Sequence, residues 1–242
     1  MTFSIVARCP LTGKIGAATA TGGPAVGALV LHGKSQTGAI ATQAMTNPIA
    51  GLTGIEYLQQ GHNANNSLDY LVTQDIERKQ RQLIILDNHG GTADWTGQNC
   101  LPWCGSLSEP NLAIAGNMLV GEQVLNAIYQ SYHNNSHQAL ADRLLIAMQA
   151  GADKGGDYRG IRSAALKVWN NRQYPDIDIR SDWSEAPLSA LSIILQQVRS
   201  EDYADFFAQI PTGNEYIISC RNLCKKISII FGTNLLKNDG KR

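Results

Sequence analysis

The sequence predicts an α+β fold in which antiparallel sheets are covered by helices. Segments rich in small and β-compatible residues come in pairs, and pairs of amphipathic segments follow them, twice along the chain. The strict alternation of strand and helix that a doubly wound sheet requires does not occur. At 242 residues, 43% of them apolar, the chain can bury a large core. We therefore expect one domain over residues 1–210 and a C-terminal extension over 211–242, with a partly disordered tail.

The first four predicted strands form two hairpins. Thr2–Arg8 leads through a turn containing Pro and Gly into a strand over 14–21. The second pair covers 26–32 and 37–44, where small residues fill both faces, as expected of a sheet that is covered on both sides.

Helices and further strands alternate in pairs after residue 47. Apolar residues at helical spacing predict short helices around 52–58 and 68–72, longer ones over 121–133 and 138–150, and final ones over Pro187–Val198 and 202–210. The remaining predicted strands are 82–86, Thr92–Thr96, 112–115, Ser163–Trp169 and 176–182, with 217–218 and 227–231 as further candidates.

Charge and motifs exclude several common functions. Twenty Lys and Arg balance twenty Asp and Glu without a block of like charge, so we expect neither nucleic acid nor a membrane surface as a partner. We find no export signal and no apolar run long enough to cross a bilayer, which predicts a cytoplasmic protein. The dinucleotide, Walker, zinc-protease and nucleophile-elbow motifs do not occur either.

The five cysteines are expected to be reduced thiols. Cys9 stands alone, whereas Cys100 with Cys104 and Cys220 with Cys224 form two pairs of identical spacing. A four-thiolate zinc site is the alternative, but zinc-binding pairs more often enclose two residues than three. We expect no metal and no cofactor.

Thr2 is the residue with the most distinctive chemical potential. A small hydroxyl residue behind Met1 permits removal of the initiator, which would make Thr2 the mature N-terminus. The α-amine, with an ordinary pKa of roughly 7.7–8.0, could then take the proton of the Thr2 hydroxyl through a water and activate it as a nucleophile. The alternative is that Thr2 simply begins the first strand.

Three polar stretches with small residues lie at or near predicted strand ends, at 41–48, 116–119 and 155–166. Together with 1–8, 81–83 and 96–97, they resemble, in the same order, the bacterial and archaeal family called domain of unknown function 1028. The likeness runs from residue 1 to about residue 200. That family is grouped with the N-terminal-nucleophile (Ntn) hydrolases, so the resemblance implies a four-layer αββα sandwich.

The resemblance also implies roles for polar residues in catalysis. Asn117, whose amide carries two donor hydrogens, is the candidate for binding the oxyanion of a tetrahedral intermediate; otherwise it is a capping or left-handed (αL) residue before the helix predicted over 121–133. Asp157 and Ser163 would hold and polarise the α-ammonium of Thr2, by analogy with proteasome-like relatives. Their ordinary interpretation is a turn Asp and a Ser at the start of a strand.

Substrate-binding roles fall on two further pairs. Arg159 or Arg162 would clamp a substrate carboxylate, although Arg162 stands where the family commonly has Gln, and solvated loop arginines are the alternative. Thr42 and Gln43 would line the pocket, or else make ordinary hydrogen bonds within the sheet.

These assignments predict an amidohydrolase that cleaves a small amide or peptide-like bond with Thr2 as the nucleophile. Some relatives carry a peptidoglycan-binding module, which suggests a cell-wall amide as the substrate. A non-catalytic binding or assembly protein on the same fold is the alternative, because a fold does not itself confer function. The base rate for such domains favours a homodimer.

Overall fold

The computed structural model describes residues 2–211, a mixed α/β structure with ten strands in two antiparallel sheets and six α-helices within that range. In chain order the strands are β1 (Thr2–Arg8), β2 (Ile15–Thr21), β3 (Leu31–Lys34), β4 (Gly38–Ala44), β5 (Arg81–Asp87), β6 (Thr92–Thr96), β7 (Gly105–Glu109), β8 (Leu112–Asn117), β9 (Ser163–Trp169) and β10 (Ile177–Ser181). The helices are α1 (Pro48–Gln59), α2 (Ala64–Gln74), α3 (Gln123–Asn134), α4 (Leu140–Asp153), α5 (Pro187–Val198) and α6 (Glu201–Ala208).

The two sheets differ in size and share an apolar core. The larger has the order β10-β9-β2-β1-β8-β7 and the smaller the order β3-β4-β5-β6. Val6 and Ala113 from the larger sheet pack in one buried cluster with Ala39 and Ile84 from the smaller. Because β1 is an interior strand of the larger sheet, its first residue has a strand on either side.

Helices cover the outer face of each sheet. Leu58 of α1 and Leu68 of α2 join Ile40 and Ile85 in a cluster on the smaller sheet. Helix α4 packs so closely on β2 that a Cβ on Gly16 would lie 2.6 Å from the Leu144 side chain. The chain divides into two compact units, the first ending at Leu195 and the second beginning at Gln196.

The structure differs from the prediction at two strands. The segment predicted as a strand over 26–32 is a 3₁₀ turn, Val26–Ala28, followed by β3, because the chain turns sharply at Ala25, whose φ is 53°. Strand β7 was not predicted, since an edge strand rich in Ser and Gly lacks the apolar signal of a buried one.

The candidate strands at 217–218 and 227–231 lie outside the described residues. Within residues 2–211, no helix is both long enough and apolar enough to span a bilayer.

Candidate functional site

Four polar residues stand side by side across the larger sheet. Thr2 is paired with Asn117 on one side and Thr21 on the other, and Thr21 is paired with Ser163. Directly opposed residues on antiparallel strands share a face of the sheet, and alternation along β1 puts Thr2 on the face of Val6, toward the smaller sheet. Since neighbouring strands lie about 4.8 Å apart, Asn117 and Thr21 flank Thr2 at one strand spacing.

Thr2 is buried at the start of β1, with 7% of its surface exposed. Its hydroxyl donates to Thr21 Oγ1 at 3.3 Å, which is long for such a hydrogen bond and therefore weak. Its carbonyl oxygen accepts from Gln43 Nε2 at 3.3 Å. The backbone of Thr2 is thus fixed while its hydroxyl proton is loosely held, which suits a nucleophile.

Two buried glutamines from the smaller sheet support this row. Gln43 and Gln82 are paired across β4 and β5, and Gln43 Nε2 donates to Gln82 Oε1 at 2.8 Å. Gln43 Oε1 accepts from Ser4 Oγ at 2.6 Å, and Gln82 Nε2 lies 2.9 Å from Gly116 O. The pair therefore links both sheets beneath Thr2.

Asn117 is held by the same pair. Its Nδ2 donates to Gln82 Oε1 at 3.0 Å, and the side chain is 1% exposed. A side-chain amide carries two donor hydrogens, so this bond accounts for one of them. Helix α3 begins at Gln123 with Glu122 as its N-cap, so Asn117 does not cap that helix.

Asp157 and Ser163 both bind the segment that follows β2. Asp157 Oδ2 accepts from Gly22 N at 2.5 Å, and a Cβ on Gly22 would lie 2.7 Å from the same oxygen. Ser163 Oγ donates to Gly23 O at 2.7 Å and accepts from Val26 N at 3.2 Å. These bonds fix the loop next to Thr21, and a direct role of either residue toward the Thr2 amine stays a prediction.

The two predicted pocket residues on β4 point in opposite directions, as strand alternation requires. Gln43 faces Thr2, whereas Thr42 faces the helices and its Oγ1 accepts from Asn47 N at 3.2 Å. The carbonyl oxygen of Thr42 accepts from Thr46 Oγ1 at 2.6 Å. The structure therefore joins only Gln43 to the row.

Both predicted arginines are paired with carboxylates of this chain. Arg159 binds Asp157 through Nε (3.2 Å) and Nη2 (3.1 Å), and the hydrogen bond to Asp157 raises the pKa of its guanidinium. Arg162 forms an ion pair with Glu185, which lowers the pKa of that carboxyl group. Their charges are already compensated.

Three of the five non-glycine residues with positive φ in the described part of the chain lie at the same end of the sheets. Ala25, Ala44 and Met118 have φ values of 53°, 67° and 53°, a region that costs a residue with a side chain on the order of 1–3 kcal/mol. Ala44 follows Gln43, Met118 follows Asn117, and Ala25 lies in the loop that Ser163 binds. Strain of this kind often accompanies functional sites.

A cleft of about 290 Å³ lies between the end of α4, segment 155–161 and the start of α5. Asp157 both lines the cleft and binds Gly22. The other lining residues are Gln149, Ala152, Gly155, Gly160, Ile161, Glu185, Ala186, Pro187, Leu188 and Ser189.

The cysteine pair in the described region has the character of ordinary thiols. Burial raises the pKa of both Cys100 and Cys104, which disfavours the thiolate that a metal or a nucleophile needs. Over residues 2–211, His, Cys, Asp and Glu side chains form no group of three that could hold a metal. Cys220 and Cys224 lie outside that range.

The sequence suggested no role for Thr21 or Gln82, although both accept hydrogen bonds from residues of the candidate site. Thr21 ends a strand of small residues, and its pairing with Thr2 follows from strand register, which local patterns do not specify. Gln82 offered a usable signal, because it is the one polar residue of the strand predicted over 82–86, and the structure buries it fully. A buried amide must find partners.

Comparison with known proteins identifies similar chains. The sequence model of a family of unknown function, DUF1028, matches residues 2–191. The crystal structure of SPO2555 from Silicibacter pomeroyi, a DUF1028 protein, is 33% identical, with a TM-score of 0.81 over 87% of this chain and 95% of that one.

A second solved structure is far less similar. Anbu, the ancestral β-subunit from Yersinia bercovieri, is 12% identical and covers 86% of this chain and 98% of its own, with a TM-score of 0.36. A likeness at that level supports no inference about this protein. None of the curated proteins matches the chain.

Proposed function

The chain belongs to the DUF1028 family, and from this premise we propose that it is an amide hydrolase of the N-terminal-nucleophile type, with Thr2 as nucleophile once Met1 has been removed. The two sheets and their helices would then represent the four-layer αββα sandwich of that class. The observation that carries the proposal is the burial of Thr2 at the start of an interior strand, between Asn117 and Thr21.

The reaction follows from the groups in the row. The α-amine of Thr2 takes the proton of its own hydroxyl through a water, and Oγ1 attacks the carbonyl carbon of the amide. The C–N bond breaks as the ammonium group returns this proton to the leaving nitrogen, which leaves an ester on Thr2. Water, deprotonated by the same amine, then attacks the ester and releases a carboxylic acid and free Thr2.

Asn117 supplies the electrostatic part of this mechanism. Its second amide hydrogen is the candidate donor to the oxyanion that forms when Oγ1 attacks. The bond from Asn117 Nδ2 to Gln82 Oε1 fixes the plane of the amide before substrate arrives. A donor that is oriented in advance inside a buried site stabilises developing charge without reorganising.

The test combines mass spectrometry with a reactive probe. Intact mass of the native protein should show loss of Met1, and a β-lactone should acylate Thr2, located by peptide mapping. Thr2→Ala should abolish labelling without changing the far-UV circular dichroism, while Thr12→Ala, at an exposed turn remote from the row, should label normally. Retention of Met1 in the native protein would remove the free amine and leave the non-catalytic binding or assembly protein as the better explanation.

A further inference from the structure

We infer that the site accepts substrates whose acyl group is uncharged and apolar, an inference that rests on the proposed function and specifies its substrate class. The first observation is that the four side chains of the row and the two glutamines bonded to it carry no formal charge. These are Thr2, Thr21, Asn117, Ser163, Gln43 and Gln82.

The segments that continue from these strands are uncharged as well. Segments 22–30, 44–47 and 118–121 follow Thr21, Gln43 and Asn117 and contain no Asp, Glu, Lys, Arg or His. The same holds for 97–104, which joins them through a hydrogen bond from Met118 N to Leu101 O at 3.0 Å. With charged residues at 17% of the chain, four neighbouring segments without one are a local feature of this end of the sheets. Arg81, which donates to the carbonyl oxygen of Met45, is paired with Asp75.

Each of these four segments exposes one large apolar side chain. The exposed fractions are 47% for Leu29, 61% for Met45, 57% for Leu101 and 44% for Val120. A single exposed apolar residue requires no explanation. Four of them, on segments that continue from the strands of the row or bond to such a segment, form what we call the apolar rim, and exposed apolar surface that is contiguous marks binding sites.

The fifth segment, 155–162, brings charges that already have partners. Asp157 is bound by Arg159, and Arg162 is bound by Glu185. A carboxylate on the substrate would have to replace one of these internal partners or be buried without compensation, and burying an unpaired charge is costly. An uncharged acyl chain avoids that cost and gains free energy by covering apolar surface.

The prediction is tested with three anilides of equal acyl length, namely butyryl, succinyl and 4-aminobutyryl, which are neutral, anionic and cationic. We expect kcat/KM for the butyryl anilide to exceed both others at least tenfold. A succinyl anilide that is cleaved as fast as the butyryl anilide would overturn the inference and favour a carboxylate clamp by Arg159 or Arg162.

A pair of matched variants tests whether the apolar rim sets the preference for the butyryl over the succinyl anilide. Met45→Lys should raise cleavage of the succinyl anilide relative to the butyryl anilide about tenfold. Leu11→Lys, at an apolar position 95% exposed in the turn at the opposite end of β1 and β2, should leave this ratio unchanged. An equal change in both variants would contradict a specific role of the rim.

A binding measurement separates this inference from the proposed function. Ligand-observed NMR on the Thr2→Ala variant should show butyranilide binding more tightly than succinanilate. If wild type cleaves no anilide but the variant keeps this preference, the hydrolase proposal fails and the apolar site stands. If the variant binds neither ligand, or succinanilate more tightly, the inference itself is wrong.

Discussion

Gln43 and Gln82 form a buried amide pair that binds both the candidate nucleophile, Thr2, and its neighbour Asn117. Gln43 holds the carbonyl oxygen of Thr2, and Gln82 holds the amide of Asn117. Because both glutamines are at most 1% exposed, any partner left unpaired costs about 1–3 kcal/mol. The pair thus sets the position of the Asn117 amide, the proposed oxyanion donor, relative to the Thr2 hydroxyl group.

Gln82→Met tests this positioning role. The substitution keeps the length of the side chain but removes the acceptor of Gln43 and Asn117, so we expect the free energy of unfolding to fall by about 1–3 kcal/mol. The rate of Thr2 acylation should fall as well. Gln74→Met, at an exposed end of α2, is the control and should change neither quantity. Unaltered stability in urea denaturation would argue against the buried network.

Asn117→Ala tests the oxyanion role. Loss of the donor should lower kcat by roughly 10²–10³ with a much smaller change in KM, because the oxyanion exists only in the transition state and the intermediate. Asn134→Ala, at the exposed end of α3, should retain full activity. An effect confined to KM, in steady-state kinetics with the butyryl anilide, would assign Asn117 to substrate binding instead.

Asp157→Asn tests the anchor of the loop after β2. The carboxylate of Asp157 accepts from Gly22 N and pairs with Arg159, and hydrogen bonds to charged groups contribute about 1.5–3 kcal/mol each. We expect a loss of stability of that order in chemical denaturation. Asp153→Asn, at an exposed position of α4, should cost far less. Equal losses of stability in the two variants would show that the bonds of Asp157 to Gly22 and Arg159 add no particular stability.

His32 should make stability depend on pH. Burial lowers its pKa below the ordinary 6.5, Lys167 adds to this, and the hydrogen bond to the carbonyl oxygen of Leu29 only partly opposes it. As pH falls, the unfolded chain therefore takes up this proton at a higher pH than the folded chain. The free energy of unfolding keeps its full value above about pH 6.5 and decreases as pH falls below it. In thermal melts His32→Gln should flatten this decline, whereas His137→Gln, which alters an exposed histidine, should not.

The sequence predicted local elements better than the site. The bounds of β1, β6, β9 and α5 agree with the prediction, because each is delimited by its own turn residues and apolar pattern. Membership of the DUF1028 family was confirmed as well. The position of Asn117 beside Thr2 depends on how distant strands align, and single segments carry little information about that alignment.

Thr42 and Gln43 illustrate the remaining gap. The sequence placed both in the pocket, although consecutive strand residues point to opposite faces. Only knowledge of which face of β4 meets the larger sheet distinguishes them, and that is a property of packing between sheets.

The pairing of Thr2 with Thr21 and Asn117 makes the length of β1 a constraint in its own right. Thr2, Ser4 and Val6 face the smaller sheet because they are two residues apart. Inserting one residue between Phe3 and Val6 would turn the hydroxyl toward the helices and bring Phe3 into its place, and deleting one would also turn the hydroxyl toward the helices. Variation in this family should therefore tolerate exchanged residues in β1 far more readily than a change in their number.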